Sequence, residues 1–272
     1  MINIQNGDCF DLMAEMADGS VDLILCDLPY GTTSNKWDSV LPLDKLWAEY
    51  ERIAKPSAII ALTASQPFTS TLVVSNLKMF RHEWIWIKNR GSNFANTVRE
   101  PMKEHESVLI FSKGKWTYNK QMQDRTGGGA DRVKYNVAFE SASTNYREFE
   151  GRKENKLPEQ RVPSSWQKFN CEVGIHPTQK PVPLMAYLIR TYSNPGDLVL
   201  DNCMGSGTTG IAAIDEDRCF IGIEKDEGYF AKAKDRIEAH IRKKIMDDMS
   251  IPIDEQQERV EQALWMLNHP IG

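Results

Sequence analysis

The chain has 272 residues and a formal net charge of −5, with 41% apolar and 26% charged residues. This length is enough for a large α/β domain, which excludes a small scaffold that depends on disulfide staples. No run approaches the roughly 18 apolar residues of a membrane span, and the first ten residues show no secretion-signal pattern. We therefore expect a soluble protein that acts in the cytoplasm and has no membrane partner.

Metal ligation has little support in the sequence. The five cysteines are far apart without a Cys-x-x-Cys pair, and the five histidines form no His-x-x-x-His pair. Structural and catalytic zinc sites normally use such closely spaced ligands. We expect no bound metal.

Four short β-rich runs in the first 112 residues have the composition of buried strands. They cover residues 21–26, 58–63, 83–87 and 107–111. Residues 43–54 repeat apolar side chains at helical spacing, which predicts an amphipathic helix between the first two strands. Near-continuously apolar strands separated by such a helix predict a parallel sheet covered on both faces.

Residues 113–168 are basic and differ from the sequence on either side. They carry twelve Lys or Arg against seven Asp or Glu, and include three consecutive glycines at 127–129. The stretch 141–165 is too polar to form a core of its own. We therefore expect an insertion at residues 113–169, whose local positive charge suits phosphate groups although the whole chain is acidic.

After the insertion, the alternation of helices and strands resumes. The pattern predicts helices at residues 183–193, 208–214 and 228–244, and strands at 198–200 and 219–223. The blocks before and after the insertion thus have the character of two halves of one sheet.

The acidic tail, residues 245–272, carries one Arg against six Asp or Glu. It repeats Val260, Ala263, Leu264 and Leu267 along one helical face. This stripe predicts a helix that docks either on the body of the protein or on a second subunit, so a homodimer is one possibility.

A glycine-rich turn is the strongest local signal. It runs from Asp201 to Gly210 (DNCMGSGTTG), between a predicted strand and an Ala-rich helix. Glycines at such a place let the backbone approach a ligand at a helix N-terminus. The turn also satisfies Gly-x-Gly-x-x-Gly, so a nicotinamide dehydrogenase is an alternative, although this match is weak alone and only one predicted strand follows it.

Three other features complete the pattern. Asp27-Leu28-Pro29-Tyr30 stands at the carboxyl end of the first predicted strand, and Glu224 ends the last. Ligands of open α/β sheets bind outside the carboxyl ends of the strands, so these carboxylates are expected to converge with Asp201. The segment HPTQKP, residues 176–181, is a rigid connector before a helix.

In this order, Asp-Leu-Pro-Tyr, His-Pro-Thr-Gln-Lys-Pro and Gly-Ser-Gly-Thr-Thr-Gly resemble the motifs of the beta group of S-adenosylmethionine-dependent DNA amino-methyltransferases. The resemblance covers about residues 1 to 240. It implies a circularly permuted Rossmann-like methyltransferase sheet, with a catalytic half at residues 1–112, a target-recognition insertion at 113–169, a cofactor-binding half at 170–244 and the acidic helical tail at 245–272.

The resemblance also assigns roles to residues. It places Asp27, Leu28, Pro29 and Tyr30 at the target base, with Tyr30 stacked on it and Asp27 and the Leu28 carbonyl accepting the two amine N–H groups. It implies that S-adenosylmethionine is held by Asp201, Gly205, Ser206, Gly207, Thr208, Glu224, Thr178 and Lys180. Two positions depart from the family pattern: Leu28 where Pro is usual, and Cys203 where Phe is usual.

The insertion is expected to bind double-stranded DNA, because its cations are interleaved with aromatic residues. The DNA-binding candidates are Lys115, Lys120, Arg125, Arg132, Lys134, Arg147, Arg152 and Lys153. Phe94, Asn96 and Arg99, in a polar loop outside the insertion, are further candidates to face DNA.

The expected activity is methyl transfer to the N6 amine of a flipped adenine in duplex DNA, since Asp at position 27 resembles the adenine enzymes more than the cytosine enzymes. Cytosine N4 methylation and a DNA-binding relative without catalysis are the alternatives.

Overall fold

The computed structural model describes residues 1–32, 38–126, 130–131, 134, 139–140, 153–154, 159–172, 174 and 179–268. The chain forms two units. The larger comprises residues 1–119 and 165–272, and the smaller comprises residues 120–164.

Twelve strands lie in the described part of the chain. They are β1 (Ile2–Asn6), β2 (Val21–Cys26), β3 (Ala54–Ala64), β4 (Phe80–Ser92), β5 (Lys103–Phe111), β6 (Gln123–Asp124), β7 (Phe139–Glu140), β8 (Lys153–Glu154), β9 (Gln160–Arg161), β10 (Trp166–Lys168), β11 (Leu198–Asp201) and β12 (Cys219–Glu224). In the smaller unit, β6 pairs with β9 and β7 pairs with β8. The other eight strands form one sheet in the larger unit.

Seven α-helices are described, all in the larger unit. They are α1 (Cys9–Ala14), α2 (Leu43–Ile53), α3 (Phe68–Ser75), α4 (Val182–Tyr192), α5 (Thr208–Asp215), α6 (Glu227–Met246) and α7 (Ile253–Asn268). The predicted strands and helices are confirmed to within a few residues at their ends. Outside the predicted insertion, the sequence analysis missed β1, α1 and α3, which are short or lack a clear apolar stripe. Within the insertion it predicted none of the strands β6 to β10.

The large sheet has the order β1-β12-β11-β2-β3-β5-β4-β10. All neighbouring pairs are parallel except those of β5, which runs antiparallel to both β3 and β4. The prediction of a wholly parallel sheet is therefore wrong at β5. The reason is the short connection between β4 and β5, residues 93–102, which is long enough for a turn but not for the crossover that a parallel pair requires.

Helices cover both faces of this sheet, as predicted. One core joins the helices α4 to α7 with strand residues such as Leu23 and Leu25. The other joins α1 to α3 with the alternate strand residues, among them Ile24 and Cys26. Successive side chains of β2 thus enter opposite cores, because a strand points them alternately to the two faces.

The tail helix α7 packs on its own chain. Val260, Leu264 and Leu267 are buried in the core that contains α6, and α7 contacts both α6 and β1. Of the two predicted docking sites for this apolar face, the structure supports the body of the protein. In the described part of the chain, no helix has the length and apolar character needed to cross a membrane.

Part of the predicted insertion belongs to the large sheet. Residues 166–168 form β10, which pairs in parallel with β4, and the Ile85 amide donates to the Ser165 carbonyl at 2.8 Å. The strand covers the otherwise unpaired edge of β4. The polar character of residues 159–170 concealed this pairing from the sequence analysis.

The strand order reverses between β11 and β2. From β11 the chain crosses through α5 to β12 on one side, and from β2 it crosses through α2 to β3 on the other. Crossovers that leave in opposite directions open a crevice at the carboxyl ends of the two strands. The segments that follow Asp201 and Cys26 therefore face each other there.

Substitution of Gly207 tests how closely the start of α5 packs against Ile237. It caps α5 with φ +75°, and a Cβ there would lie 3.0 Å from Ile237 Cδ1. We expect Gly207→Ala to lower the free energy of unfolding by about 2–3 kcal/mol, through backbone strain and crowding together. The control is Gly196→Ala, which has φ +86° and open space for a Cβ, and should cost only about 1–2 kcal/mol. If urea denaturation shows the same loss in the free energy of unfolding for both variants, the predicted clash with Ile237 is contradicted.

Candidate active site

A cavity of about 790 Å³ lies at the carboxyl ends of β2, β11 and β12. Its lining includes Asp27, Tyr30, Asp201, Gly205 and Glu224, although the first and last of these are almost 200 positions apart in the chain. This volume is within the range of ligand-binding pockets. The structure thus brings residues 27–30, which were predicted to contact the target base, and the predicted glycine turn to one site.

The glycine turn lines part of the cavity. Gly205 has φ +52°, and a Cβ there would stand in open space at a residue that lines the cavity. Ser206 and Thr208 also line it and are buried. Gly207, with its left-handed φ, turns the chain into α5, so the helix begins at the cavity wall.

Arg236 and Gln179 hold this turn in place. Arg236 donates to the Ser206 carbonyl and to Thr208 Oγ1, both at 3.0 Å. The Ser206 hydroxyl donates to Gln179 Oε1 at 3.1 Å. The loop shape is therefore maintained by α6 and by the segment that leads into α4.

Two carboxylates flank the turn. Burial raises the pKa of Asp201 to about 7, although hydrogen bonds from the Thr209 side chain and the Cys203 amide oppose this shift. Burial also raises the pKa of Glu224, whose two oxygens accept the Gly205 amide at 2.9 Å and the Asp226 amide at 2.8 Å. Both groups would be stabilised as carboxylates by a cationic or hydroxyl-bearing ligand.

Asp27 lines the same cavity and accepts hydrogen bonds from three side chains. Its Oδ1 accepts hydrogen bonds from the Tyr30 hydroxyl, at 2.8 Å, and from the Thr63 hydroxyl. Its Oδ2 accepts one from Lys180 Nζ at 2.6 Å. These three donors, from three separate segments, orient the carboxylate.

Lys180 joins two carboxylates. Its Nζ lies 2.6 Å from Asp27 and 3.4 Å from Glu106 Oε2, while Lys88 pairs with the other oxygen of Glu106. Burial would lower the pKa of Lys180, but the charges of Asp27 and Glu106 outweigh it, so its pKa is raised. Burial would likewise raise the pKa of Glu106, but Lys180 and Lys88 together lower it. Lys180 and Glu106 are thus each held in their charged form.

Tyr30 is packed and kept protonated. Its ring stacks on Phe68 at a centroid distance of 5.4 Å, and Lys180 Nζ lies 5.4 Å from the ring centroid. Burial, with the charges of Asp27 and Glu106, raises the pKa of its hydroxyl well above the usual value. Phe68 occupies one ring face, so a base could not stack on that face.

The turn after Tyr30 is held by hydrogen bonds to Asp38. The Asp38 carboxylate, buried, accepts the amides of Gly31 and Thr32 at 2.8 and 2.9 Å. Gly31 has φ +68°, a conformation that favours glycine. Leu28, the departure from the family pattern, buries its side chain in the core beneath the sheet edge, and Pro29 lines the cavity.

The structure places Lys180 at Asp27, whereas the sequence analysis predicted that it holds the cofactor. Its Nζ donates a hydrogen bond to Asp27 Oδ2. Thr178 lies outside the described residues. No cluster of His, Cys, Asp or Glu in the described part of the chain has the arrangement of a metal site.

The predicted DNA-binding residues fall in different places. Lys115 is exposed in the larger unit, and Lys120, Arg125 and Lys134 belong to the smaller one. Lys153 is described only as part of β8. Arg132, Arg147 and Arg152 lie outside the described residues.

Sequence reasoning missed Glu106 and Thr63. Thr63 is near the carboxyl end of β3, beside β2, and the strand-end rule that selected Asp27 would also have found it. Glu106 is near the amino-terminal part of β5, which reaches the same sheet edge only because β5 is antiparallel. A search for carboxyl ends of parallel strands could not select it.

The reversed strand order, the glycine turn entering a helix and the carboxylate at the end of β12 are features of a Rossmann-like fold that binds a nucleoside-containing ligand. The family model described as "DNA methylase" matches residues 21–235, and the chain belongs to this family. Its cofactor is S-adenosylmethionine and its substrate class is DNA. This membership overturns the dehydrogenase alternative, because the short glycine match is shared by both classes of protein.

Named relatives agree with this family. The chain is 30% identical to the DNA adenine methyltransferase YhdJ of Escherichia coli, over 86% of this chain and 82% of that protein. It is 27% identical to the Type II methyltransferase M.HpaI of Haemophilus parainfluenzae, over 94% and 84%.

Solved structures agree as well. The M1.HpyAVI complex with S-adenosylmethionine matches with a TM-score of 0.60 and 27% identity, covering 87% of this chain and all of that one. The cytosine-N4-specific PvuII methyltransferase matches in fold, with a TM-score of 0.62 and 15% identity, over 97% of this chain and 92% of that one.

The ion-pair cluster can be tested by denaturation. Glu106→Gln leaves the ammonium groups of Lys88 and Lys180 with one carboxylate fewer, and the Glu106 side chain is only 14% exposed. We expect a loss of about 3 kcal/mol in the free energy of unfolding at pH 7. Glu255→Gln, which removes the exposed pair with Arg259, is the control and should change it by less than about 0.5 kcal/mol. Similar effects of both substitutions would contradict the cluster's role.

Proposed function

We propose that this protein transfers a methyl group to the N6 amine of an adenine flipped out of duplex DNA at a specific site. The observation that carries this proposal is the single cavity shared by Asp27, Tyr30 and the glycine turn. A base held at Asp27 and a methyl donor held at Asp201 would be neighbours there. Reacting groups held in this way gain most of their rate from positioning.

The residues at the glycine turn fit S-adenosylmethionine. Gly205 leaves open space beside the backbone, and Asp201 offers a buried carboxylate for a cationic amine. Glu224 ends its strand where an acidic side chain accepts ribose hydroxyls in nucleoside-binding folds. When bound, the cofactor supplies a methyl group on a positively charged sulfonium.

Asp27 is suited to hold the substrate amine. A carboxylate has about four lone-pair positions, and the Tyr30, Thr63 and Lys180 donors occupy three of them. Oδ2 can therefore accept one amine N–H, and the carbonyl of Leu28 can accept the other. These bonds would draw the nitrogen lone pair out of conjugation with the ring, and the negative charge of Asp27 would stabilise the positive charge that develops on nitrogen.

The choice of adenine rests on two observations. Position 27 is Asp, which in this family resembles the adenine enzymes, and the relative YhdJ is named an adenine methyltransferase. Other relatives are named Type II methyltransferases, which supports a place in restriction–modification. Cytosine N4 methylation is the second candidate, because an Asp can also hold a cytosine amine.

The deciding experiment measures the product base. DNA from a host lacking adenine methylation, incubated with the protein and S-adenosylmethionine, should yield N6-methyladenine in nucleoside mass spectrometry. N4-methylcytosine would establish the second candidate, and DNA binding without either base would indicate a catalytically inactive relative.

Asp27→Ala should reduce the rate of methyl transfer by at least about a thousandfold, because it removes the acceptor that orients the amine. Calorimetry should show that S-adenosylmethionine binding changes little, which would separate a catalytic loss from unfolding. Asp44→Ala, which removes an exposed carboxylate of α2, is the control and should be as active as the wild type. Retained activity in Asp27→Ala would refute its role.

The raised pKa of Asp201 predicts a pH-dependent affinity. With a pKa near 7 the carboxylate is mostly protonated at pH 6 and mostly ionised at pH 8, so binding of a cationic ligand should strengthen up to about tenfold over this range. The amine of the ligand also titrates near pH 8. Calorimetry of Asp201→Asn at both pH values measures the contribution of the ligand amine alone. Identical pH profiles for the two proteins would contradict the assignment.

A further inference from the structure

The turn between β4 and β5 presents an unusual surface beside the cavity. Ser92 and Asn93, at its start, and Lys103, at its end, line the cavity. Between them, Phe94 is 68% exposed and Val98 is 89% exposed. Large apolar side chains projecting from one turn at the mouth of a site indicate an interaction surface.

This turn is held in a defined shape. Asn93 adopts a left-handed conformation with φ 72°, and Phe94–Asn96 form one turn of 3-10 helix. The Thr97 hydroxyl donates to the Phe94 carbonyl at 2.9 Å, and the Arg99 amide donates to the Asn96 carbonyl at 2.9 Å. The Asn93 side chain also donates to Glu100. Phe94 is therefore presented by a preorganised backbone.

The charges around the turn suit a nucleic acid. Arg90, Arg99 and Lys103 are exposed on the same stretch of chain, where they can contact phosphates. They outnumber the two exposed carboxylates of this stretch, Glu100 and Glu104, so its net charge is positive. In proteins that bind unpaired nucleotides, an exposed aromatic ring stacks on a base while neighbouring cations contact the phosphate backbone.

We infer that Phe94 is the wedge that enters the gap left in the DNA when the target nucleotide is flipped into the cavity. The inference rests on the proposed function and adds to it the residue that stabilises the opened duplex. Extruding a base costs a few kcal/mol of stacking and pairing. An apolar side chain inserted at the vacated step recovers part of that cost. Phe94 is placed for this because its turn adjoins the cavity that would receive the base.

The test compares two DNA substrates. Both carry the methylation site identified by modification-sensitive sequencing in a host that expresses the full chain. In one, the target base is normally paired. In the other, it faces an abasic position, so that extrusion costs little. Initial rates at limiting DNA measure kcat/KM for each.

We expect Phe94→Ala to lower kcat/KM by roughly tenfold or more on the paired duplex, and to stay within about threefold of wild type on the abasic duplex. Phe94→Tyr, which keeps the ring, should restore activity on the paired duplex. With 2-aminopurine at the target position, the fluorescence increase on binding should be smaller for Phe94→Ala than for the wild type.

Val74→Ala is the matched control. Val74 is an apolar side chain of α3, 69% exposed, that does not line the cavity, and its removal should leave both rates unchanged. An equal loss for Phe94→Ala on both substrates, or no loss on either, would overturn the inference. A wild-type protein that methylates neither substrate would instead overturn the proposed function.

Discussion

A single buried ammonium group, Lys180 Nζ, connects the parts of the active site. It bonds to Asp27 after β2 and approaches Glu106 on β5, and its side chain is 5% exposed. Removing a charge from water is costly unless partners compensate it, so the two carboxylates and the ammonium require each other. The segment ending at Lys180, the end of β2 and the start of β5 are thereby held together at one edge of the sheet.

This network also sets the chemistry available to Asp27. With one oxygen held by Lys180 and the other by two hydroxyls, the carboxylate has a fixed orientation toward the cavity. A fixed acceptor needs no reorganisation as charge develops on a substrate amine, which is the general advantage of preorganised electrostatics. The glycine turn is held in a similar way by Arg236 and Gln179, so the turn and Asp27 are both oriented by side chains from other segments.

Much of this architecture could be predicted from the sequence, for reasons that are local. The apolar runs that became β2, β3, β4, β5, β11 and β12 have the period and composition of buried strands, and α2, α4 and α6 repeat their apolar side chains at helical spacing. Asp27, Asp201 and Glu224 follow or end such strands, so the rule for strand ends was enough to select them. Glu106 was missed, because strand direction depends on how the short β4–β5 connection folds back and not on the composition of either strand.

By itself, the sequence determined the element types, the order of the motifs and the residues able to carry charge, since these depend on side chains close together in the chain. Only the tertiary structure decided that the tail helix covers its own domain, that residues 166–168 join the large sheet, and that Lys180 faces Asp27. Each of these depends on contacts between segments far apart in the chain, where burial and the pairing of charges select one arrangement among several that local patterns allow.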